Sequence, residues 1–410
     1  MKRYLIAVLL MMLALPFSAS AQWYLFPGGR NSKDSLAVNT NVDSLVTSVP
    51  DSNAVKVFRD STVSVQSDEV AVADSLTVFE QPVTVTKVSL ILPLKSTSTP
   101  NSNFLDFYCG VLLAADELGD ESHRIDLNVY DSTVGLPTSL KLYDSDLIIG
   151  PVSVEDIERL APRLHWKYLV SPLDPKAAAL TDRYNIIQAP AGWEAQVDDL
   201  IRWLAEDRRE SDAVVLLQSA DEAGGEISRR MAEKLGASEI PYEISSTPSS
   251  YEEGVRGSCR FLIASENEEF CTTAIREIAL MNLRGGHNVV YSTSKLRGIS
   301  DLETESLHAA ATRITASYYA DPGDLEVRTF SERYRKLFKG EPSQWSFQGY
   351  DLMKYFGTQA KEKPAFWVEE LYVTPARGLQ TDFNFDASGR NNKAIRRLKY
   401  NANNTISIVR

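Results

Sequence analysis

The stretch Ser145–Arg163, with the sequence SDLIIGPVSVEDIERLAPR, predicts a strand, a tight turn and a helix in direct succession. Its apolar run Leu147–Ile149 ends at a Gly-Pro pair, which is typical of a buried parallel strand. Ser153 is a favourable N-cap, and the two acidic residues in the first helical turn complement the helix dipole. Because ligands of open α/β sheets bind at the carboxyl ends of the strands, this turn is a candidate binding loop.

The same alternation continues along most of the chain. Strands are predicted at residues 87–94, 124–130, 147–150, 168–171, 184–188, 213–218, 260–265, 288–292 and 313–318, and long helices at 104–118 and from 193 to about 206. Alternating strands and helices predict an α/β fold with parallel sheets covered by helices on both faces. Ala189–Ala191 and Thr315–Pro322 are candidate crossovers between two lobes.

The N-terminus has the features of a secretory signal peptide. Lys2 and Arg3 precede an apolar core from Leu5 to Phe17, and a small-residue site then predicts cleavage between Ala21 and Gln22. The alternative is a membrane anchor, but the apolar run is shorter than the ~20 residues that span a bilayer. We therefore expect a periplasmic protein, with a signal peptide at 1–21 and no stable membrane span.

Residues 22–82 differ in composition from the rest of the chain. Ser, Asp, Val, Thr and Asn dominate, and after Phe26 the only aromatic residues are Phe58 and Phe79. Such a segment buries too little apolar surface to offset chain entropy. It is predicted to be a disordered tether that is dispensable for folding.

Composition excludes several classes of function. The formal charge of -12 argues against a nucleic-acid partner, because phosphate binding needs a basic surface. We predict three buried thiols, at Cys109, Cys259 and Cys271. Only Cys259 and Cys271 are close in sequence, and they fall on a strand and on the helix that follows it, which places them too far apart for a disulfide. The four histidines show no metal-ligand spacing, and no nucleophile motif is present. No metal, cofactor or catalytic residue is predicted.

Several segments in their order resemble the type I periplasmic binding proteins, the group that includes leucine-binding proteins. The resemblance covers about Thr86 to Arg410 and is carried by Asp146–Pro151 with Tyr168–Pro172, by Phe347–Asp351, and by the F-D-x-x-G turn in Phe383–Gly389 with the hairpin that follows. It implies two α/β lobes joined by crossovers, one formed by 83–190 together with 316–410 and the other by 191–315.

The chain looks most similar to the exported Bacteroidetes branch of this group. Members of that branch often carry an N-terminal LysM module, and this chain has the tether in that place. The resemblance implies a non-catalytic solute receptor, of the kind that serves an ABC transporter or a sensor. Two alternatives stay open: an envelope interaction protein, similar to relatives that regulate peptidoglycan synthesis, and an enzyme. The implied partners are a small solute or an envelope protein.

The resemblance also implies that a ligand lies between the lobes. The matching loop residues are Lys95, Ser96, Ser98, Ser153, Val154, Ser171, Asp174, Lys176, Ser265, Glu266, Asn267, Thr293 and Ser294. Helix N-termini and hydroxyl groups suit an anion. Amino-acid binders of the family have a hydroxyl side chain at the position where this chain has Val154. They also have a carboxylate for the ligand's amine near the loop that Ser292–Ser294 matches. This chain has no carboxylate in that loop, and Glu266 is the one residue that could substitute for it. We therefore expect an anionic or hydroxyl-rich ligand and no α-amino acid; the alternative is that these loops only cap helices.

Overall fold

The computed structural model describes residues 83–96, 99–222, 224–251 and 258–409. The strands are β1 (Thr84–Leu92), β2 (Lys95–Ser96), β3 (Thr99–Pro100), β4 (His123–Asp131), β5 (Leu147–Ile149), β6 (Leu169–Ser171), β7 (Ile186–Gln188), β8 (Ala213–Leu217), β9 (Glu243–Ser245), β10 (Cys259–Ile263), β11 (Val289–Thr293), β12 (Arg313–Ala316), β13 (Ala376–Arg377), β14 (Asp382–Phe383), β15 (Arg396–Tyr400) and β16 (Ile406–Val409). The α-helices are α1 (Ser102–Leu118), α2 (Val154–Leu160), α3 (Trp193–Asp207), α4 (Glu226–Ala237), α5 (Glu268–Leu283), α6 (Thr304–Ala309), α7 (Leu325–Phe338), α8 (Gln344–Glu362) and α9 (Trp367–Glu370). The signal peptide, its cleavage site at Ala21 and Gln22, and the tether lie outside the described residues.

The first sheet has five parallel strands in the order β4-β1-β5-β6-β7. Its central strands are short apolar runs, and every residue of β5 and β6 is buried. Runs of this kind are covered on both faces, as the sequence predicted. Helices α1 and α8 pack on one face, where the core includes Leu90, Phe107 and Phe356.

The second sheet has the order β16-β15-β12-β11-β10-β8-β9. The strands from β8 to β12 run parallel, whereas β15 and β16 form an antiparallel hairpin at one edge. The predicted strands of both sheets are confirmed to within a few residues. The exposed strand β9 was missed because its sequence, EIS, carries no apolar run.

Within the described residues the chain passes between the two sheets at three segments. These are 189–192, which separates β7 from α3, 317–324, which separates β12 from α7, and 384–395, which leads from β14 to β15. The segments are bonded together: the Ser317 hydroxyl donates to the Ala191 carbonyl oxygen at 2.7 Å, and Asn392 Nδ2 donates to the Ala189 carbonyl oxygen at 2.8 Å.

The last strands depart from the predicted lobe boundaries. Residues 316–410 were expected to return as a whole to the first lobe, but β15 and β16 extend the second sheet through β12. The sequence pattern predicts a hairpin at this place, because a turn depends on neighbouring residues. It does not predict the sheet edge with which the hairpin pairs. The division into lobes is otherwise still a prediction. None of the helices among the described residues is long and apolar enough to cross a membrane.

Candidate functional site

A cavity of about 670 Å³ lies between loops at the carboxyl ends of the two sheets. One wall is Asp174 with the 3-10 turn that follows it at Pro175–Leu180. The other wall comes from the start of α3 and from the loops after β8 and β10, and its members are Trp193, Glu194, Glu222, Gly225–Ser228, Ala264 and Glu266. An adjoining cavity of about 280 Å³ reaches into the second wall beside Cys271 and Lys295. We call the larger cavity the cleft.

The predicted ligand residues divide into two groups. Those that line the cleft or its adjoining cavities are Asp174, Lys176, Ser265, Glu266, Thr293 and Ser294. Lys95 and Ser96 form the exposed β2–β3 hairpin, while Ser153, Val154, Ser171 and Asn267 lie at strand and helix ends without lining these cavities. Ser98 lies outside the described residues. Ligand contact by any of these residues is still a prediction.

The helix N-terminus predicted to receive an anion in the first lobe is already occupied by side chains of the protein. Ser153 Oγ accepts the Asp156 N–H at 3.2 Å. The Asp174 carboxylate accepts the Lys176 N–H at 3.0 Å and faces the Val154 N–H. Burial raises the pKa of Asp174 above its ordinary value, against the effect of these donors. An anion placed here would meet a carboxylate where the sequence suggested open N–H groups.

The second lobe repeats this arrangement. The Glu222 carboxylate accepts the Glu266 N–H at 3.0 Å and the Ser265 hydroxyl hydrogen. Asn267 Oδ1 accepts the Phe270 N–H at 3.0 Å and so caps α5. Two N–H groups at and just before the start of α5, those of Glu266 and Phe270, therefore have acceptors within the chain.

Glu266 lies beside the Ser292–Ser294 loop because it forms an ion pair with Lys295. The sequence shows no carboxylate in that loop, but the fold brings one to it from the next strand end. Burial lowers the pKa of Lys295, while Glu266 opposes that effect. Since the pair is internally neutral, Glu266 contributes less negative potential to the cleft than an isolated carboxylate would.

Ser294 links secondary-structure elements. Its N–H and its hydroxyl both donate to Gln196 Oε1, at 3.1 and 3.0 Å, and Gln196 Nε2 donates to Ser317 Oγ at 3.1 Å. Ser317 in turn bonds the crossover residue Ala191. These contacts fix α3 against two of the crossing segments, so the Ser294 hydroxyl has a structural role at the junction of the lobes.

The charge of the cleft is negative. Five carboxylates line it, on Asp174, Glu194, Glu222, Glu226 and Glu266, against the single ammonium of Lys176. They are spread around the walls: across the described ranges, no three acidic, histidine or cysteine side chains are grouped so as to hold a metal ion. This charge is opposite to what an anionic ligand requires.

Sequence reasoning missed four of the residues that line this wall, namely Trp193, Glu194, Glu222 and Glu226. The Gly224–Gly225 turn is part of this missed wall, to which it contributes Gly225. It follows β8 after a short 3-10 turn and opens α4, with Gly224 at a φ of +78°. A glycine-containing turn between a strand and a helix was the available signal for a loop at the cleft.

Known structures share this architecture, although no protein-family profile matches the chain and no curated protein matches it. A protein assigned as a branched-chain amino acid ABC transporter from Rhodospirillum rubrum aligns with a TM-score of 0.59 at 13% identity, covering 79% of this chain and 100% of its own. ABC transporter substrate-binding proteins from Desulfitobacterium hafniense and Sphaerobacter thermophilus each align with a TM-score of 0.50 at 14% identity. Both alignments cover 79% of this chain, and they cover 100% and 96% of the respective neighbour. The chain therefore has the α/β fold predicted from its sequence, that of the type I periplasmic binding proteins.

Proposed function

We propose that this protein is an exported, non-catalytic receptor that binds a small solute between its two lobes. The observation that carries the proposal is the cleft, whose volume of about 670 Å³ falls within the ~300–1,000 Å³ range of small-molecule sites. Its position at the carboxyl ends of the strands is where α/β proteins bind ligands. The solved structures of the same fold include substrate-binding proteins of ABC transporters, which supports a receptor role.

The electrostatics of the cleft favour a solute with a positive charge. Glu194 and Glu226 are exposed carboxylates on the cleft wall, and neither has an ion-pair or hydrogen-bond partner among the described residues. A ligand cation about 6 Å from such a group gains on the order of 1 kcal/mol, because water screens most of the interaction. An anion would lose a similar amount at each.

Trp193 gives the cleft an aromatic surface beside Glu194. The face of an indole ring attracts ammonium and guanidinium groups, and most strongly when they are partly desolvated. An aromatic ring with neighbouring carboxylates is a suitable site for an amine or a quaternary ammonium. The ground for disfavouring a free α-amino acid changes with the structure. The carboxylates of the cleft suit its ammonium group, but N–H groups that could receive its carboxylate are already bonded to Ser153, Asp174 and Asn267.

The experiment begins with native mass spectrometry of protein purified from its own periplasm, which detects a retained molecule. Calorimetry then compares putrescine and choline as cations, glucose as a neutral solute, succinate and phosphate as anions, and the twenty amino acids. We expect binding of a cation or of an amine that lacks a carboxylate, and no binding of the twenty amino acids. Binding of succinate or phosphate in the cleft would support the receptor role and refute the charge preference.

Paired variants locate the binding. The double variant with Glu194→Gln and Glu226→Gln removes two negative charges and should lower the affinity for a monovalent cation roughly tenfold to thirtyfold. Glu233→Gln is the matched control, because it removes a charge from the same helix α4 without lining the cleft. Equal effects from the pair and the control would place binding elsewhere. Absence of any bound solute in both experiments would instead favour the envelope interaction protein.

A further inference from the structure

A second cavity, with both aromatic and polar lining, lies on the first lobe, at the end opposite the cleft. A groove of about 300 Å³ is lined by Trp166 and Tyr168 and by Pro364, Ala365, Trp367 and Val368. Trp367 contributes a buried ring, with its centroid 6.4 Å from that of Tyr168. Polar groups of Asp146, Lys167 and Glu369 complete the lining. We call this site the aromatic groove.

Exposed apolar side chains surround the aromatic groove. Trp166 is 43% exposed, and Tyr143, whose ring centroid lies 6.4 Å from that of Trp166, is 61% exposed. Phe366, between two residues that line the groove, is 66% exposed. Isolated exposed apolar residues are ordinary, but adjoining aromatic residues around a concavity mark a binding surface.

The aromatic groove lies where the N-terminal part of the chain joins the body. Asp146 and Tyr168 stand just before β5 and β6, at the amino ends of the parallel strands. β1 begins at the same edge: the Lys87 N–H donates to Asp146 Oδ2 at 2.8 Å, and Val83 is only four residues earlier. Val83 and Val85 are also exposed there, at 52% and 36%. The 82 residues that precede Val83 therefore connect to the body next to this surface.

We propose that the segment Trp23–Phe26 of this same chain docks in the aromatic groove. Its sequence, WYLF, is the one cluster of aromatic and large apolar side chains in residues 22–82, a stretch otherwise dominated by small polar residues. Aromatic side chains supply most of the energy in such contacts, and they pair with aromatic surfaces.

The chain between the two sites has a suitable length. About 56 residues separate Phe26 from Val83, and a flexible chain of that length has a root-mean-square span of roughly 40 Å. Tethering over that span gives an effective concentration on the order of 1 mM. Docking is therefore favoured as long as the isolated segment would bind the groove with a Kd below about 1 mM. Because the groove faces away from the cleft, the docked segment leaves the solute site open.

Photo-crosslinking of the full mature chain tests the proposal. The photo-crosslinker p-benzoylphenylalanine replaces Phe26 in one sample and Phe58, an aromatic residue of the same segment, in the control. We expect crosslinks from position 26 to peptides that contain Trp166 or residues 364–369, at a yield roughly fivefold above that from position 58. The variants Trp166→Ala and Phe366→Ala should lower the yield from position 26, whereas Leu283→Ala, a 75% exposed site on α5, should leave it unchanged.

An equal mixture of ¹⁴N- and ¹⁵N-labelled protein separates the outcomes. Crosslinks within one isotopic chain support docking in cis. Mixed-isotope crosslinks at the groove would overturn it in favour of a second copy as the occupant. Equal, scattered crosslinks from positions 26 and 58 would show that the groove does not receive this segment, and would equally refute the proposal.

Discussion

The substitution Gly349→Ala probes a close backbone contact between helices α1 and α8. Helices α1 and α8 cross with their backbones touching at two glycines. A Cβ on Gly349 would lie 2.0 Å from the Phe107 carbonyl oxygen, and one on Gly110 would lie 1.9 Å from the Ser346 carbonyl oxygen. Ordinary contacts of a Cβ begin at 3.4 Å. Since both partners are backbone, no side chain can rotate away, and the helices must separate by about 1.4 Å.

Separating the helices would loosen the packing between α1 and α8, and this sets the expected loss in the free energy of unfolding. The interface between α1 and α8 includes Phe104, Phe107, Leu352 and Phe356, all part of one buried cluster. A radial gap of ~0.5–1 Å already forfeits a quarter to a half of a contact's dispersion energy. Overpacking typically costs about 1–3 kcal/mol, and a backbone-on-backbone clash belongs at or above the upper end. Alanine regains about 1 kcal/mol of helix propensity. We expect a net loss of about 2–4 kcal/mol.

Denaturant unfolding measures this loss, with Gly236→Ala as the matched control. Gly236 lies near the end of α4, and a Cβ there would meet nothing within 4 Å. The control should be neutral or stabilising by up to ~1 kcal/mol. If Gly349→Ala were as stable as the control, the two helix backbones would not be in contact, and the packing of the first lobe given above would be wrong.

Three further predictions concern buried polar groups. Arg396 is buried, donates to the carbonyl oxygens of Gly378 and Leu379 at 2.6 and 2.9 Å, and pairs with Asp382. In urea unfolding, Arg396→Met should therefore lower the free energy of unfolding by about 3–5 kcal/mol. The control Lys399→Met, at an exposed position of the same strand, should change it by less than about 0.5 kcal/mol, and similar losses in both variants would contradict the role of Arg396. Burial raises the pKa of Asp351 to about 6 despite three backbone donors, so the native state holds this proton more tightly than the unfolded chain and stability falls as the pH rises from about 4 to 6. Between pH 4 and 7 the wild type should lose about 3 kcal/mol more than Asp351→Asn, and parallel pH profiles would refute this. Burial raises the pKa of Cys259 to about 11 and of Cys271 to about 12. At pH 8 a thiol reagent should therefore modify these two cysteines only after denaturant is added. Rapid reaction of both in the native protein would contradict their burial.

The fold was largely predictable because its signals are local. Short apolar runs followed by turn residues gave the strands of both sheets, and the Trp193 helix was placed to within one residue. The thiols of Cys259 and Cys271 are buried and free, as expected from a strand and a helix that follow one another, although Cys109 is only partly buried.

The candidate site was less predictable because its character depends on which loops meet. Ser153 looked like an open anion donor, yet Asp174 from the next strand end lies against the same helix terminus. Glu222 and Glu266 are 44 residues apart, and only the alignment of β8 with β10 brings them together. The sequence also gave no sign that the terminal hairpin would join β12, because an antiparallel pair can complete any free sheet edge that offers unpaired backbone groups.

By itself, the amino-acid sequence determined the alternation of strands and helices, the two sheets and the positions of their turns, since each depends on residues that are neighbours in the chain. Only the tertiary structure decided the sign of the charge in the cleft, the side chains that accept the N–H groups around Ser153 and the sheet to which β15 and β16 belong. The physical reason is range: hydrophobic periodicity and helix capping act over a few residues, whereas the electrostatics of a cleft add up side chains from strand ends that lie far apart in the sequence.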